Sequence, residues 1–392
     1  MKILHVIKTI DPVHGGPAVS APSLAAAQAK QHHQVSLAFM YSKDQKKGIE
    51  KTKNNIPYFN GIELVLIPNK GIKDKVLAIS AVKPLLNEIR KADIVHMHGV
   101  WDPIVLLSAV IALIFNKPYV FSPRGMLDPW SLSQKKWKKK IMLTFFSRYL
   151  LNKSLFIHCL NETEKTLIKP LGLQCELRVF PNGIFPEKIK DNVDKNIFFD
   201  SFSQLKNKPF ILFLSRLHYK KGLDILIDCF AQVTSQIDNL NLVVAGNDDG
   251  ELENLERKIK ENNLDSKVHF IGPIYGDLKY SALKNAECFV LPSRQEGFSM
   301  AITEAMAYGC AVIVSEECHF PEVSEYNAGY VVSLNADAFS QAIVTLVKNT
   351  ELKNSFIYSA KNIVTSMFSW HRIAEEIILA YQVKKGSREA LN

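Results

Sequence analysis

Short apolar runs alternate with helix-length amphipathic stretches along most of the chain. In the first half the runs are Lys2–Ile7, Gln34–Phe39, Ile62–Ile67, Ile94–His96, Tyr119–Phe121, Leu155–His158 and Leu177–Phe180. Helical patterns such as Ser20–Gln31 and Ile104–Phe115 fall between them. Strand alternating with helix predicts an α/β protein with parallel sheets. Across residues 182–208 the pattern lapses into polar, Phe-rich sequence, which reads as a linker. The alternation then restarts with predicted strands at Phe210–Ser215, Leu240–Ala245, Val268–Ile271, Glu287–Leu291, Ala311–Val314 and Val331–Val332. Predicted helices there are Leu223–Gln236, Leu252–Asn262, Leu278–Asn285, Met300–Tyr308 and Ala338–Lys348, and Trp370–Lys384 is helical in pattern too. The simplest architecture is two Rossmann-like domains facing each other across a cleft. Ligands of such sheets bind beyond the carboxyl ends of the strands, so the loops there are where chemistry is sought.

Length agrees with two domains, because 392 residues exceed what one core usually supports. With 47% apolar and 22% charged residues the chain is globular, not disordered. The start, MKILHVIKTIDP, lacks a signal-peptide cleavage pattern, and the apolar run IVLLSAVIALIF at 104–115 is too short to span a bilayer. Six cysteines without a Cys-x-x-Cys pair fit reduced core residues, and the expected location is cytoplasmic. The net charge of +9 is uneven: QKKWKKKIMLTFFSRYLL at 134–151 places five lysines before an apolar stretch. That stretch suits an anionic membrane surface through residues 135–140, or else a solvated helix start. No nucleic-acid motif accompanies it, and nucleic acid is not an expected partner.

The most informative stretch is RQEGFSMAITEAMAYG, residues 294–309. Glu296 and Gly297 fall in a loop after a predicted strand, Ser299 is placed to cap a helix, and Gly309 is placed to stop it. The free N–H groups and dipole of that helix start suit an anion such as phosphate. Glu304 lies among small and apolar neighbours, where a carboxylate needs partners; it is either an exposed surface acid or an acceptor for a diol such as a ribose. As a glycosidase pair the acids would lie ~12 Å apart on a helix, beyond the roughly 5–9.5 Å that two-carboxylate hydrolysis uses.

Glu296-Gly297-Phe298-Ser299 followed by Glu304-Ala305-Met306-Ala307-Tyr308-Gly309 resembles the Glu-x7-Glu signature of retaining glycosyltransferases of family 4, which have the GT-B fold. The resemblance extends over nearly the whole chain. It implies an acceptor-binding domain at 1–190, a nucleotide-sugar-binding domain at 191–370, and a terminal helix at 371–392 that crosses back to the first domain. It further implies that Glu296 contacts donor-sugar hydroxyls and Glu304 the ribose, while the amides of Gly297, Phe298, Ser299 and Met300 meet sugar and diphosphate.

Other loops after strands follow. In SRLHYKKG, Arg216 and Lys221 resemble the family's diphosphate-binding pair, with Lys220 as a substitute; fixed cations there stabilise the charge that grows on the leaving group. Asn247 in VVAGNDDGELE and Gly272, Pro273 and Ile274 in HFIGPI match loops near the nucleotide, whereas Asp248 and Asp249 read as helix caps. Gly15 and Gly16 in HGGPA let backbone approach a ligand, although a plain turn explains them as well. HMHGVWDP and SPRGMLDPW resemble acceptor-side loops of bacterial surface-polysaccharide enzymes, which nominates His98, Trp101, Asp128 and Trp130, with burial against the sheet as the other reading of His98. Many relatives carry His where this chain has Arg124, and Arg cannot act as a base. Asn182-Gly183 matches a junction loop, or is only a turn.

The expected activity is hexose transfer, with retention, from a UDP- or GDP-linked sugar to a glycan acceptor on a polyprenyl diphosphate, without a metal or other cofactor. The expected setting is surface-polysaccharide synthesis on the inner face of the plasma membrane. Two rivals share the two-lobed plan: a nucleotide-sugar 2-epimerase and a non-catalytic sugar-binding protein.

Overall fold

The computed structural model describes residues 1–134, 136–143, 147–190 and 192–389. Lys135 and the side chain of Lys138, both in the basic stretch at 135–140, lie outside the described residues. The chain separates into two compact units, Met1–Phe185 joined by the segment from Trp370 onward, and Pro186–Ser369.

The first unit is a parallel sheet of β1 (Lys2–Ile7), β2 (Gln34–Tyr41), β3 (Ile62–Pro68), β4 (Ile94–His98), β5 (Tyr119–Ser122), β6 (Phe156–Cys159) and β7 (Glu176–Val179), in the order β3-β2-β1-β4-β5-β6-β7. Its central strands β1, β4, β5 and β6 are buried on both faces because helices cover both. Ile3 and Ile7 enter one core with the helix Gly16–Lys30, while Leu4 and Val6 enter another with Pro103–Ile114. The terminal helix Trp370–Glu389 belongs to this unit: Trp370, Ile373, Ala374, Ile377 and Tyr381 are buried in the first core.

The second unit holds β8 (Phe210–Leu214), β9 (Asn241–Ala245), β10 (Val268–Phe270), β11 (Phe289–Leu291), β12 (Val312–Ser315) and β13 (Gly329–Val332), parallel, in the order β10-β9-β8-β11-β12-β13. In both units the strand order reverses beside the first strand, between β1 and β4 and between β8 and β11. A crevice opens at such a point, so ligands are expected there.

The boundary between the units, at Phe185/Pro186, falls within the predicted linker 182–208, but that stretch is not without structure. Its Phe-rich part forms the helix Asn196–Ser201, which buries Phe198 against Phe210 and the helix Gly276–Asn285. Its aromatics lack a helical period because so short a helix needs only one of them inside. All six cysteines are free thiols, and five are buried. Among the described residues no helix is long and apolar enough to cross a membrane.

Candidate active site

In the second unit, three strand-end loops are stitched together. Residues 215–222 follow β8, and residues 292–299 follow β11. Gly222 has φ of +65°, and a Cβ there would stand 1.8 Å from the Pro292 carbonyl oxygen. Only glycine allows this turn to sit so close to the neighbouring loop. Beside it the Arg294 amide donates to the Lys220 carbonyl at 2.6 Å, and the Arg294 guanidinium grips Asp224 with two bonds of 2.7 Å while lying over the Tyr219 ring.

This clasp brings Lys221 to Glu296. Lys221 Nζ donates to Glu296 Oε1 at 2.5 Å, and the Ser293 hydroxyl donates to the same oxygen at 2.7 Å. The two charged side chains are 15% and 9% exposed, which makes this one of the better-shielded pairs in the unit. Lys220 instead donates to Gln295 Oε1 at 2.8 Å. The third loop, after β12, supplies the Glu317 carbonyl to the Glu296 amide and places His319 Nδ1 3.1 Å from the Glu296 carbonyl.

The helix Met300–Ala307 begins at once. Ser299 holds the N-cap position, yet its hydroxyl makes no capping bond. The helix start therefore keeps its donors and dipole for another acceptor. The Phe298 ring packs inward on Phe320 and Phe368, which leaves its backbone for the site. Gly297 and Met300 are partly exposed on either side of it. Glu304 is no plain surface acid: its Oε1 accepts from Lys279 Nζ at 2.7 Å. Burial pulls the Lys279 ammonium down, but the Glu304 carboxylate together with the Tyr280 and Tyr275 side chains outweighs this and the group ends above its ordinary value. Lys279 was not legible in the sequence, because a lysine on an amphipathic helix looks like surface charge.

Arg216 is more exposed and bonds Asp249 at 2.5 Å. Asp248 accepts from the amides of Gly250, Glu251 and Leu252 and so caps the helix that follows. Asn247 is exposed, and its carbonyl accepts from the Leu217 amide. Gly272 offers its carbonyl to the Gly246 amide at 3.0 Å, Pro273 is exposed and Ile274 is buried.

In the first unit, Gly15 (φ +94°) leads into Gly16, the first residue of the helix Gly16–Lys30, and side chains at either position would meet open space. Arg124 adopts a left-handed backbone (φ 55°) and is buried. Its guanidinium donates to His98 Nδ1 at 3.0 Å, to the Ser20 hydroxyl at 2.6 Å and to Asn182 Oδ1 at 3.1 Å. Burial lowers its pKa to about 10, opposed by Glu164, so it stays charged near neutrality. His98 is likewise buried with both ring nitrogens engaged. It acts on Arg124 and not as a surface contact. Asp128 is buried and caps the helix Pro129–Ser133 through the Ser131 amide. Trp101 donates to the Met126 carbonyl at 3.2 Å, and Trp130 is 44% exposed.

Behind Arg124 lies a hydrogen-bond chain absent from the sequence reading. Arginine can only donate, so His98 Nδ1 accepts; His98 Nε2 then donates to His5 Nδ1 at 2.9 Å, and His5 Nε2 to Gln28 Oε1 at 2.7 Å. At the other end His158 Nε2 donates to the Phe180 carbonyl at 2.7 Å, so His158 Nδ1 accepts from His96 and His96 Nδ1 from the Tyr381 hydroxyl. The Gln28 amide joins the two ends through a 3.5 Å bond to Tyr381. These bonds fit His5, His96, His98 and His158 as neutral imidazoles, each with its proton on Nε2. His5, His96 and His98 also bring ring nitrogens near one another. Their rings stack, however, at 8° between His5 and His98 and 18° between His96 and His98. Stacked rings do not aim lone pairs at one point, and the Arg124 cation is adjacent, so the set suits hydrogen bonding and not metal ligation.

Two parallel α/β units, each with its site at the reversal of strand order, define the two-domain class to which GT-B glycosyltransferases belong. Solved structures agree. The Anabaena protein Alr3699/HepE, in complex with UDP and glucose, superposes with a TM-score of 0.77 at 19% identity, over 96% of this chain and 98% of that one. WaaG, a glycosyltransferase involved in lipopolysaccharide biosynthesis, superposes at 0.67 and 16% identity, over 96% and 98%. Residues 14–188 match the family described as Glycosyltransferase Family 4 and residues 194–363 the one described as Glycosyl transferases group 1. The chain belongs to this family of glycosyltransferases. Among curated relatives, the uncharacterized glycosyltransferase MJ1607 of Methanocaldococcus jannaschii is 30% identical over 53% of this chain and 54% of its own. The phosphatidyl-myo-inositol mannosyltransferase of Mycobacterium tuberculosis is 25% identical over 45% and 48%. The chain thus spans about half the length of these relatives. The GDP-mannose:cellobiosyl-diphosphopolyprenol alpha-mannosyltransferase of Xanthomonas campestris is 23% identical over 99% and 98%.

Proposed function

We propose that the protein transfers a hexose from a nucleotide diphosphate sugar to a hydroxyl of a lipid-linked glycan, with retention of configuration. The observation that carries this reading is the shielded Lys221–Glu296 pair set at the uncapped start of the helix Met300–Ala307. Lys221, Arg216 and the backbone amides at that helix start take the diphosphate, Glu296 the hexose hydroxyls and Glu304 the ribose. Asn247 and the loop Gly272, Pro273 and Ile274 border the nucleotide. The first unit offers Gly15, Gly16 and Arg124 toward the donor, with Trp101 and Trp130 on the acceptor side.

The bond between the anomeric carbon and the phosphate oxygen breaks, and its electrons stay on the diphosphate. The acceptor oxygen bonds that carbon from the same face and gives its proton to the departing phosphate. Fixed cations neutralise the growing charge, so this reading needs no metal. The full-length likeness to an enzyme named for a diphosphopolyprenol acceptor supports a polyprenyl-diphosphate glycan. We further infer that the protein works at the inner membrane face in surface-polysaccharide synthesis, with the basic sequence at 135–140 drawn to anionic lipid.

The test is a thermal-shift panel of UDP- and GDP-sugars with the purified protein, followed by product analysis with the stabilising donor. Stabilisation by one nucleotide series and an axial-to-axial product are expected. No stabilisation by any nucleotide sugar would sink the proposal.

A further inference from the structure

Arg124 is a cation withdrawn from water without an anion beside it. It is 9% exposed and stays charged near neutrality. Its N–H groups go to neutral acceptors: the Ser20 hydroxyl at 2.6 Å, Asn182 Oδ1 at 3.1 Å, and His98 Nδ1, approached by Nε at 3.4 Å and by a terminal nitrogen at 3.0 Å. Among the described residues Arg124 forms no ion pair, and one N–H is left over, on the terminal nitrogen that bonds His98. Glu164 is the acid whose charge reaches it, yet that carboxylate is buried and engaged by the Gly125 and Leu160 amides at 2.5 and 2.6 Å. The guanidinium is also aimed. Its backbone is left-handed, with φ of 55°, and Glu164 fixes the very next amide. Strain of this kind persists where the surroundings over-determine it, and it gathers at ligand sites.

A buried guanidinium without a counter-ion is unfavourable, and bonds to neutral groups offset that only in part. A ligand that brings the missing negative charge removes the penalty. A sugar hydroxyl accepts an N–H but carries no charge. A diphosphate takes several donors together, more than the single N–H left here, and the loops of the second unit are assigned to it. A carboxylate carries one charge and gains a strong bond from a single charged N–H. We propose that Arg124 seats the carboxylate of a hexuronic acid, so that one of the two substrates is an anionic sugar. This deepens the transferase reading and rests on it for the ligand being a sugar. Arg124 is assigned there to the donor side, which makes the transferred sugar the first source of the carboxylate and a residue of the acceptor glycan the second.

The experiment has two arms, both on the purified full chain. In the first, thermal shifts compare UDP-glucuronic acid with UDP-glucose, and GDP-mannuronic acid with GDP-mannose. In the second, calorimetry without any nucleotide compares a disaccharide ending in glucuronic acid with its carboxyl-reduced form. The acid should bind roughly tenfold or more tightly than its neutral counterpart in one arm, the worth of one charged hydrogen bond. A preference in the first arm puts the carboxylate on the donor, and one in the second puts it on the acceptor. Arg124→Lys keeps a cation and should keep part of the preference, whereas Arg124→Gln should bind acid and neutral sugar alike. The wild-type comparison decides the matter if a variant does not fold. Equal binding of acid and neutral sugar in both arms overturns the proposal. So does a preference that folded Arg124→Gln retains in full. Loss of affinity for UDP and GDP themselves, equal to the loss for the uronic acid forms, overturns it too, since Arg124 would then serve the diphosphate. If no nucleotide sugar shifts the melt, the transferase reading fails, and the second arm still decides this one.

Discussion

Lys221 and Glu296, 75 positions apart in the chain, share a hydrogen bond of 2.5 Å at the ends of adjacent strands. The bond does two jobs: it fixes the basic loop against the acidic one, and it holds a cation where a leaving diphosphate needs it. Each partner is shielded enough that removing the other leaves a charge poorly compensated. Lys221→Met should lower kcat about 10²–10³-fold, the usual loss for one preorganised donor in an active site. Glu296→Gln retains an acceptor for Lys221 and Ser293. It should therefore keep the melting temperature within a few degrees while still losing most turnover. Steady-state kinetics beside thermal melts separate the two effects, and normal turnover in both variants would refute the assignment.

Gly222 makes that register available. Replacing it by Ala puts a methyl group against the Pro292 carbonyl and forces an L-residue into left-handed backbone. The loops must part, with a cost of about 3 kcal/mol in stability and a loss of turnover. Urea unfolding monitored by circular dichroism is the check. Gly272→Ala is the contrast, because it carries the same backbone strain in open space and should cost about 1 kcal/mol.

The pairing of Glu304 with Lys279 predicts a different phenotype. A carboxylate that binds ribose in ground state and transition state alike changes KM more than kcat. Glu304→Gln should raise the KM for the nucleotide sugar about tenfold, the worth of one charged hydrogen bond, and leave kcat within about threefold. A fall in kcat at constant KM would move Glu304 from binding into the chemical step.

The central strands were legible because each is a short apolar run buried on both faces, so period and length sufficed. The glutamate pair drew notice through its resemblance to a family signature, beside a helix start that follows a strand. Partners supplied from elsewhere were not. Lys279, Arg294 and Gln28 look like ordinary surface residues in sequence, and only the fold brings them to Glu304, Asp224 and the histidines. His98 shows the same limit: its pattern gave a strand-end histidine, while its function as a prop for Arg124 depends on His5, 93 positions away. The helix Thr350–Met367 escaped notice because its apolar positions are sparse along 18 residues.

The buried histidines give the first unit a pH dependence of definite sign. Burial holds His5 at about 4 and His158 at about 3, and it drives His96 and His98 well below the ordinary 6.5. Unfolded, all four titrate near 6.5. Below that pH the unfolded chain takes up protons that the folded chain refuses, so stability falls as acid is added, and it levels off only near the folded values. Each imidazole contributes a slope of up to about 1.4 kcal/mol per pH unit. Glu164, whose pKa burial raises, works in the opposite direction but is a single group. Urea midpoints taken between pH 7.5 and 4.5 should therefore decline steadily from about pH 6.5, with activity failing in parallel as Arg124 loses its prop. Tyr381→Phe removes the donor to His96 Nδ1 and lets that ring protonate more readily, which should lower the midpoint at pH 7.5 and flatten the decline. A wild-type midpoint unchanged down to pH 5 would show that these rings are not held neutral, and the directed chain from Arg124 to Phe180 would have to be abandoned.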